Sequence, residues 1–218
     1  MPLFKTINVN PTTQILVWKV TESFEELLGK VILKKKTQLR LNGMKSELHQ
    51  RAFLCVRMLI QQIGINDYDL HYDEFGKPYL SDHRYISITH SYNFAAIIIS
   101  QETVGIDIEL QREKIIRIAD KFADTEFSFL KPEEKKEYIR KLTVIWGAKE
   151  AVFKIRNEKG ISFKDHIKVN TFKMNDAHTK TELHFDGVIR DFKVCFEEFD
   201  SNDDKGFEQN FTLVYAFE

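Results

Sequence analysis

The stretch that decides the fold is VGIDIEL, Val104 to Leu110. Its apolar residues, Val104, Ile106, Ile108 and Leu110, alternate with Gly105, Asp107 and Glu109. Side chains on a strand alternate between its two faces, so this pattern predicts a strand with an apolar face and a face carrying two carboxylates. The strand rise places those carboxylates about 6–7 Å apart at Cβ. Like charges at that spacing repel, and a cation between them removes the cost. An all-oxygen pair suits Mg²⁺ and not zinc. Gly105 is expected to leave room for a ligand to approach the backbone. The plain alternative is an antiparallel strand with one wet face.

Upstream, YISIT (85–89) and FAAIIIS (94–100) are further strand candidates separated by short linkers, which predicts an antiparallel meander of three with 104–110. Residues 1–20 read as a hairpin turning at Asn10-Pro11. Ser23 with Glu26 forms a capping box ahead of a short helix, FEELLGKVIL, and KKKTQLR (34–40) is a basic patch. A longer helix over 44–64 carries the stripe Ala52, Cys55, Val56, Leu59, Ile60 and Ile63, with Gly64 as its stop.

Downstream, DTEFSFL and KPEEKKEYIRK read as helical, Pro132 suiting a first turn. LTVIWGAKEAVFKI continues as helix until Asn157–Gly160. Asp186-Gly187 joins two tail strands as a hairpin, and FTLVYAFE closes the chain. The order is α+β in two halves with a seam near Gln101–Thr103. The expected units are 1–102 and 103–218, the second carrying the metal site.

Composition bounds the function. The chain has 218 residues, 43% hydrophobic and 30% charged, with a net charge of −1. That is a globular protein with no electrostatic case for general nucleic-acid binding. Two cysteines, Cys55 and Cys195, are too few for a disulfide framework and read as reduced thiols. No signal pattern or membrane-length apolar run occurs, so the expected location is cytoplasmic, without a membrane partner.

A third carboxylate sits in WGAKEAVFK (146–154). At helical spacing Ile145, Ala148, Val152 and Ile155 form the buried stripe, with Glu150 and Lys154 opposite, one turn apart. The plain alternative is an exposed ion pair worth a few tenths of a kcal/mol. Trp146, on the flank, reads as core. His90 ends YISITHS between Thr89 and Ser91, a place that suits a core-margin histidine or an anion site. Lys77 lies in the turn FGKP, and Arg51 on the exposed side of its helix.

Together and in this order, FGKPYL (75–80), ISITHS (86–91), VGIDIEL (104–110), FADTEF (122–127) and WGAKEAVFK (146–154) resemble the phosphopantetheinyl transferase superfamily, in its long monomeric, surfactin-synthetase-activating form. The resemblance implies a pseudo-dimer of two similar α+β subdomains, each a small antiparallel sheet packed with helices, with the active site at their interface. It implies Mg²⁺-dependent transfer of the 4′-phosphopantetheine arm of coenzyme A to a serine of an apo acyl or peptidyl carrier protein. The product released is adenosine 3′,5′-bisphosphate.

Carried over by position, Asp107, Glu109 and Glu150 match the metal-binding carboxylates. Lys154 matches a lysine on a coenzyme A phosphate. Thr89 and His90 match a serine–histidine pair at the phosphates, Lys77 the lysine of G-K-P, and Arg51 an arginine at the 3′-phosphate. Glu150, Lys154 and Asp107 are the expected catalytic groups, Glu150 as base toward the carrier serine. Arg51, Lys77, Thr89, His90 and Lys154 are the expected coenzyme A contacts. Glu126 matches a family glutamate of open role. Two departures are visible. Thr89 replaces a serine, and Gly147 stands where a helix former is usual, at a cost of about 1 kcal/mol against alanine. The rival readings are a Mg²⁺-dependent phosphodiesterase or nuclease and a non-catalytic coenzyme A or carrier-binding module.

Overall fold

The computed structural model describes residues 3–202 and 205–218; Met1, Pro2, Asp203 and Asp204 lie outside the described residues. It divides into two compact units, Met1–Glu102 and Thr103–Glu218. Each is an antiparallel sheet packed with helices, an α+β arrangement. No helix among the described residues is long and apolar enough to cross a membrane.

The first unit begins with the expected hairpin, β1 (Leu3–Asn10) and β2 (Thr13–Lys19). Ser23 and Glu26 form the capping box of α1, which runs only over Phe24–Leu28 and stops at Gly29, short of the ten-residue helix expected there. The basic patch is itself helical: Lys35–Asn42 forms α2, missed because its apolar residues are sparse. Helix α3 (Glu47–Gln61) is capped by Ser46, and Ala52, Cys55, Val56, Leu59 and Ile60 of its stripe are buried. Its far side holds Arg57, whose guanidinium bonds Asp67 at 3.0 Å in full burial. Strands β3 (Leu70–Tyr72) and β4 (Pro78–Leu80) form a small ladder around the FGKP turn.

Strands β5 (Tyr85–Ser91) and β6 (Phe94–Ser100) pair antiparallel and complete a sheet in the order β1-β2-β6-β5. Helix α3 packs its stripe against Leu16, Trp18, Ala95, Ile97 and Ile99 of this sheet. The expected three-stranded meander stops here. Strand β7 (Val104–Leu110) does not continue it; β7 pairs with the last strand of the chain in the other unit. Short linkers fit a hairpin but do not require one, and alternation specifies a strand without specifying its neighbour.

The second unit continues from β7 through 3₁₀ segments at Glu113–Lys121 and Thr125–Phe129 to α4 (Lys135–Arg156). Pro132 precedes α4 and does not lie in its first turn, and Asn157, at φ 49°, closes it in the left-handed conformation. A short α5 (Phe163–His166) leads into β8 (Ile167–Val169), β9 (His178–Phe185), β10 (Val188–Asn202) and β11 (Glu208–Phe217). The sheet order is β7-β11-β10-β9-β8, all antiparallel. Asp186 and Gly187, at φ 52° and 72°, make the predicted hairpin turn, since both positions need positive φ. Leu142, Ile145, Ala148 and Val152 of α4 share one core with Leu183, Phe192, Val194, Phe196 and Val214. Cys55 and Cys195 are free thiols.

Candidate active site

The carboxylate face of β7 is dry at Asp107 and only partly buried at Glu109. Asp107 is only 5% exposed, as it lies under helix α4. Two glycines allow this approach. A Cβ on Gly105 would sit 2.0 Å from the carbonyl oxygen of Ala151 in α4, far inside contact distance. The open backbone at Gly105 therefore admits the helix, where the sequence suggested a ligand. A Cβ on Gly147 would meet Val214 Cγ2 of β11 at 2.7 Å and Asp107 Oδ2 at 3.6 Å. The apparent weak point of the helix is a point of close contact with the sheet, and packing gained there offsets the lost propensity.

Along that seam, side chains of β7 meet α4 in sequence. Lys154 Nζ donates to Asp107 Oδ1 at 2.8 Å and to the Ile106 carbonyl at 2.9 Å. The plain alternative, an exposed pair with Glu150, gives way to a bond that ties helix to strand. Burial, first, and repulsion from Asp107 push the Glu150 carboxyl above the usual carboxylate range, against the opposing pull of Lys154. The indole N–H of Trp146 donates to Glu109 Oε1 at 3.1 Å. Beyond Glu109, Gln111 Nε2 bonds Glu198 and Thr212 at 2.6 and 2.9 Å, and Arg140 Nε bonds Glu198 at 2.8 and 3.1 Å. A groove of about 160 Å³ opens beside this row, bordered by Glu109, Arg112, Lys114, Ile115, Ile118 and Trp146.

Among the described residues, no three of His, Cys, Asp and Glu converge as a ready-made metal cage. The donor chemistry of the β7–α4 row nonetheless fits a hard cation. Asp107, Glu109 and Glu150 offer only oxygen, and the mutual repulsion of Asp107 and Glu150 is a cost that a divalent ion would remove.

The other expected residues lie in the first unit. Arg51 leaves α3 half-buried and donates from Nε to the Glu22 carbonyl at 2.7 Å, so it is not merely the exposed side of its helix. Lys77 sits in a turn organised by Asp73, whose Oδ1 accepts from the amides of Phe75 and Lys77 at 2.9 and 2.8 Å. Thr89 is buried and His90 exposed at the end of β5. The His90 ring lies 5.6 Å from that of His49, in the first turn of α3 two residues before Arg51. No motif pointed to His49; only the packing of α3 reveals it. Lys34, the first lysine of the basic patch, donates to the Leu70 carbonyl.

Sequence reasoning left Glu126 open and passed over Lys149. The structure joins them: Lys149 Nζ lies 2.7 Å from Glu126 Oε1 with both side chains almost wholly buried. Burial pushes the Lys149 ammonium's pKa down, against the pull of Glu126.

Comparison with known proteins adds family information to this geometry. Residues 103–214 match the profile described as "4'-phosphopantetheinyl transferase superfamily". The chain is 25% identical over 168 residues to the "4'-phosphopantetheinyl transferase gsp" of Aneurinibacillus migulanus, a span of 76% of this chain and 60% of that protein. It is 27% identical over 176 residues to the "4'-phosphopantetheinyl transferase Sfp" of Bacillus subtilis (strain 168), covering 77% and 73%. The same figures hold for the "4'-phosphopantetheinyl transferase ffp" of Bacillus subtilis. The match thus spans less than two thirds of the Aneurinibacillus protein and about three quarters of the Bacillus ones.

Proposed function

The chain belongs to the 4'-phosphopantetheinyl transferase superfamily, and on that premise we propose that it moves the phosphopantetheine arm of coenzyme A onto a serine of an apo acyl or peptidyl carrier protein. The observation that carries the reading is the row on β7 and α4. Asp107, Glu109, Glu150 and Lys154 fall within the family-matched residues, and Lys154 bonds Asp107 directly.

In this reaction the serine oxygen bonds to the β-phosphorus of the coenzyme A pyrophosphate. The phosphoanhydride bond breaks, and its bridging oxygen leaves with adenosine 3′,5′-bisphosphate. Such transfer needs positioning and charge neutralisation more than covalent help. Asp107, Glu109 and Glu150 would hold Mg²⁺, which when bound supplies charge neutralisation on the pyrophosphate oxygens. Glu150 accepts the serine proton. Its burial and its neighbour Asp107 raise its basicity, which suits that role. Lys154, held on Asp107 and the Ile106 carbonyl, presents its positive charge beside the same carboxylates. Arg51, Lys77, Thr89 and His90 bind coenzyme A phosphates, supported by the grouping of the His90 ring with His49, two residues from Arg51. The protein acts as a cytoplasmic monomer.

Mass spectrometry of apo carriers from fatty-acid, polyketide and nonribosomal-peptide systems, incubated with this protein, coenzyme A and Mg²⁺, tests the proposal. At least one carrier gains the phosphopantetheine mass. If every carrier stays unmodified while bound tightly, the non-catalytic module takes its place.

A further inference from the structure

We infer that Trp146 is a positioning residue for Glu109, and that the buried Lys149–Glu126 pair locks the aromatic bracket that aims its indole. The inference rests on the reading of Glu109 as a magnesium ligand.

The indole N–H of Trp146 lies 3.1 Å from Glu109 Oε1. A carboxylate ligand on a strand keeps rotamer freedom, and a donor on its outer oxygen removes much of it. The indole is itself held on two sides. Its ring makes an edge contact with Phe122 at 5.1 Å and a tilted contact with Phe163 at 5.5 Å.

Phe122 follows the first 3₁₀ segment and Phe163 opens α5, and one side chain ties both. Lys149 Nζ donates to the carbonyls of Phe122 at 2.7 Å and Phe163 at 3.0 Å. Its remaining bond goes to Glu126. Glu126 in turn accepts from the amides of Asp124 at 3.0 Å and Val169 at 3.0 Å, which fixes the 3₁₀ segment and β8. Lys149 is less than one helical turn beyond Trp146, so the bracket and the residue it holds share one rigid element.

A pair this deeply buried is a poor device for stability alone. Desolvation consumes most of the Coulomb attraction, and apolar replacements of equal volume often cost nothing. What the pair supplies here is direction: three acceptors converge on one ammonium, and the two phenylalanine backbones are set by it. The chain of contacts runs from Glu126 through Lys149, Phe122 and Phe163 to Trp146 and Glu109. Within that chain of contacts the indole is the group that bonds the carboxylate.

Mn²⁺ binding to the full-length chain with coenzyme A present, followed by the electron paramagnetic resonance of free Mn²⁺, tests this. Trp146→Phe keeps the ring and removes the donor. It weakens Mn²⁺ binding about 10- to 100-fold, raises the Mg²⁺ needed for half-maximal transfer by a similar factor, and leaves kcat at saturating Mg²⁺ and the coenzyme A KM near their original values. A role in packing alone would move all of these together.

Should the variant fold poorly, the wild-type chain labelled with 5-fluorotryptophan gives the same answer. Its two tryptophans yield two ¹⁹F resonances, assigned with Trp18→Phe, and Mg²⁺ shifts only that of Trp146. Unchanged Mn²⁺ affinity in Trp146→Phe, or an unmoved Trp146 resonance in a protein that binds Mn²⁺, overturns the inference alone. A wild-type chain that binds no Mn²⁺ at all overturns it together with the metal reading beneath it.

Discussion

Asp107 is the residue on which the proposed chemistry converges. It holds Lys154, raises the proton affinity of Glu150 and lies beside the close contact of Gly147 with the sheet. Asp107→Asn keeps the shape and removes the charge. Transfer activity in the coenzyme A assay falls at least about 10²-fold, the scale of losing one electrostatic stabiliser. The urea midpoint moves little, because the weakened Lys154 bond is offset by the repulsion lifted from Glu150. Full activity in this variant would remove Asp107 from the mechanism. In the first unit, the proposed role of His90 predicts that His90→Ala weakens coenzyme A binding more than dephospho-coenzyme A binding in calorimetry, since only the former carries the 3′-phosphate. Equal losses would place His90 elsewhere.

At the scale of elements, α4 is the helix that the second unit is built around, and its contact with β7 and β11 depends on missing side chains. Gly147→Ala separates two opposed expectations. Helix propensity alone favours alanine by about 1 kcal/mol. The structure predicts a net loss of stability, because the new Cβ would lie 2.7 Å from Val214 Cγ2 in a packed core and overpacking costs about 1–3 kcal/mol. A urea midpoint raised above wild type would sink this account.

The other end of α4 carries a pH signature. Burial works to raise the Glu198 carboxyl's pKa, but hydrogen bonds from Arg140 and Gln111 outweigh it and hold it below the usual range. A carboxyl with a lowered folded-state pKa stabilises fully above its unfolded value, near 4.3, and the contribution disappears as pH falls through the folded value. Arg140→Ala is therefore less stable than wild type at pH 7, and the gap between their urea midpoints narrows toward pH 3. A gap constant across that range would assign Arg140 a packing role only.

For the whole molecule, binding and folding are linked. A ligand present at a hundred times its Kd stabilises by about 2.7 kcal/mol, and for a chain of this length each kcal/mol is worth about 2–4 °C in Tm. Coenzyme A with Mg²⁺ raises Tm beyond coenzyme A alone, and Asp107→Asn loses the magnesium increment while keeping the rest. An increment that survives the substitution would mean the ion binds elsewhere.

The amino-acid sequence by itself determined what depends on near neighbours along the chain. The alternation of β7, the stripe of α3, the Ser23 cap and the Asp186-Gly187 turn were legible, because period and φ preference act within a few residues. Period placed Asp107 and Glu109 on one face of β7 and Glu150 and Lys154 on one face of α4, but only the resemblance to a family singled them out. Only the tertiary structure decided that β7 pairs with β11 and not β6, that Gly105 and Gly147 let helix and sheet approach closely, that Lys154 bonds Asp107 and not Glu150, and that Trp146 bonds Glu109. Those outcomes rest on which distant surfaces meet, and a hydrogen bond or a close backbone contact between residues tens of positions apart leaves no mark in local periodicity.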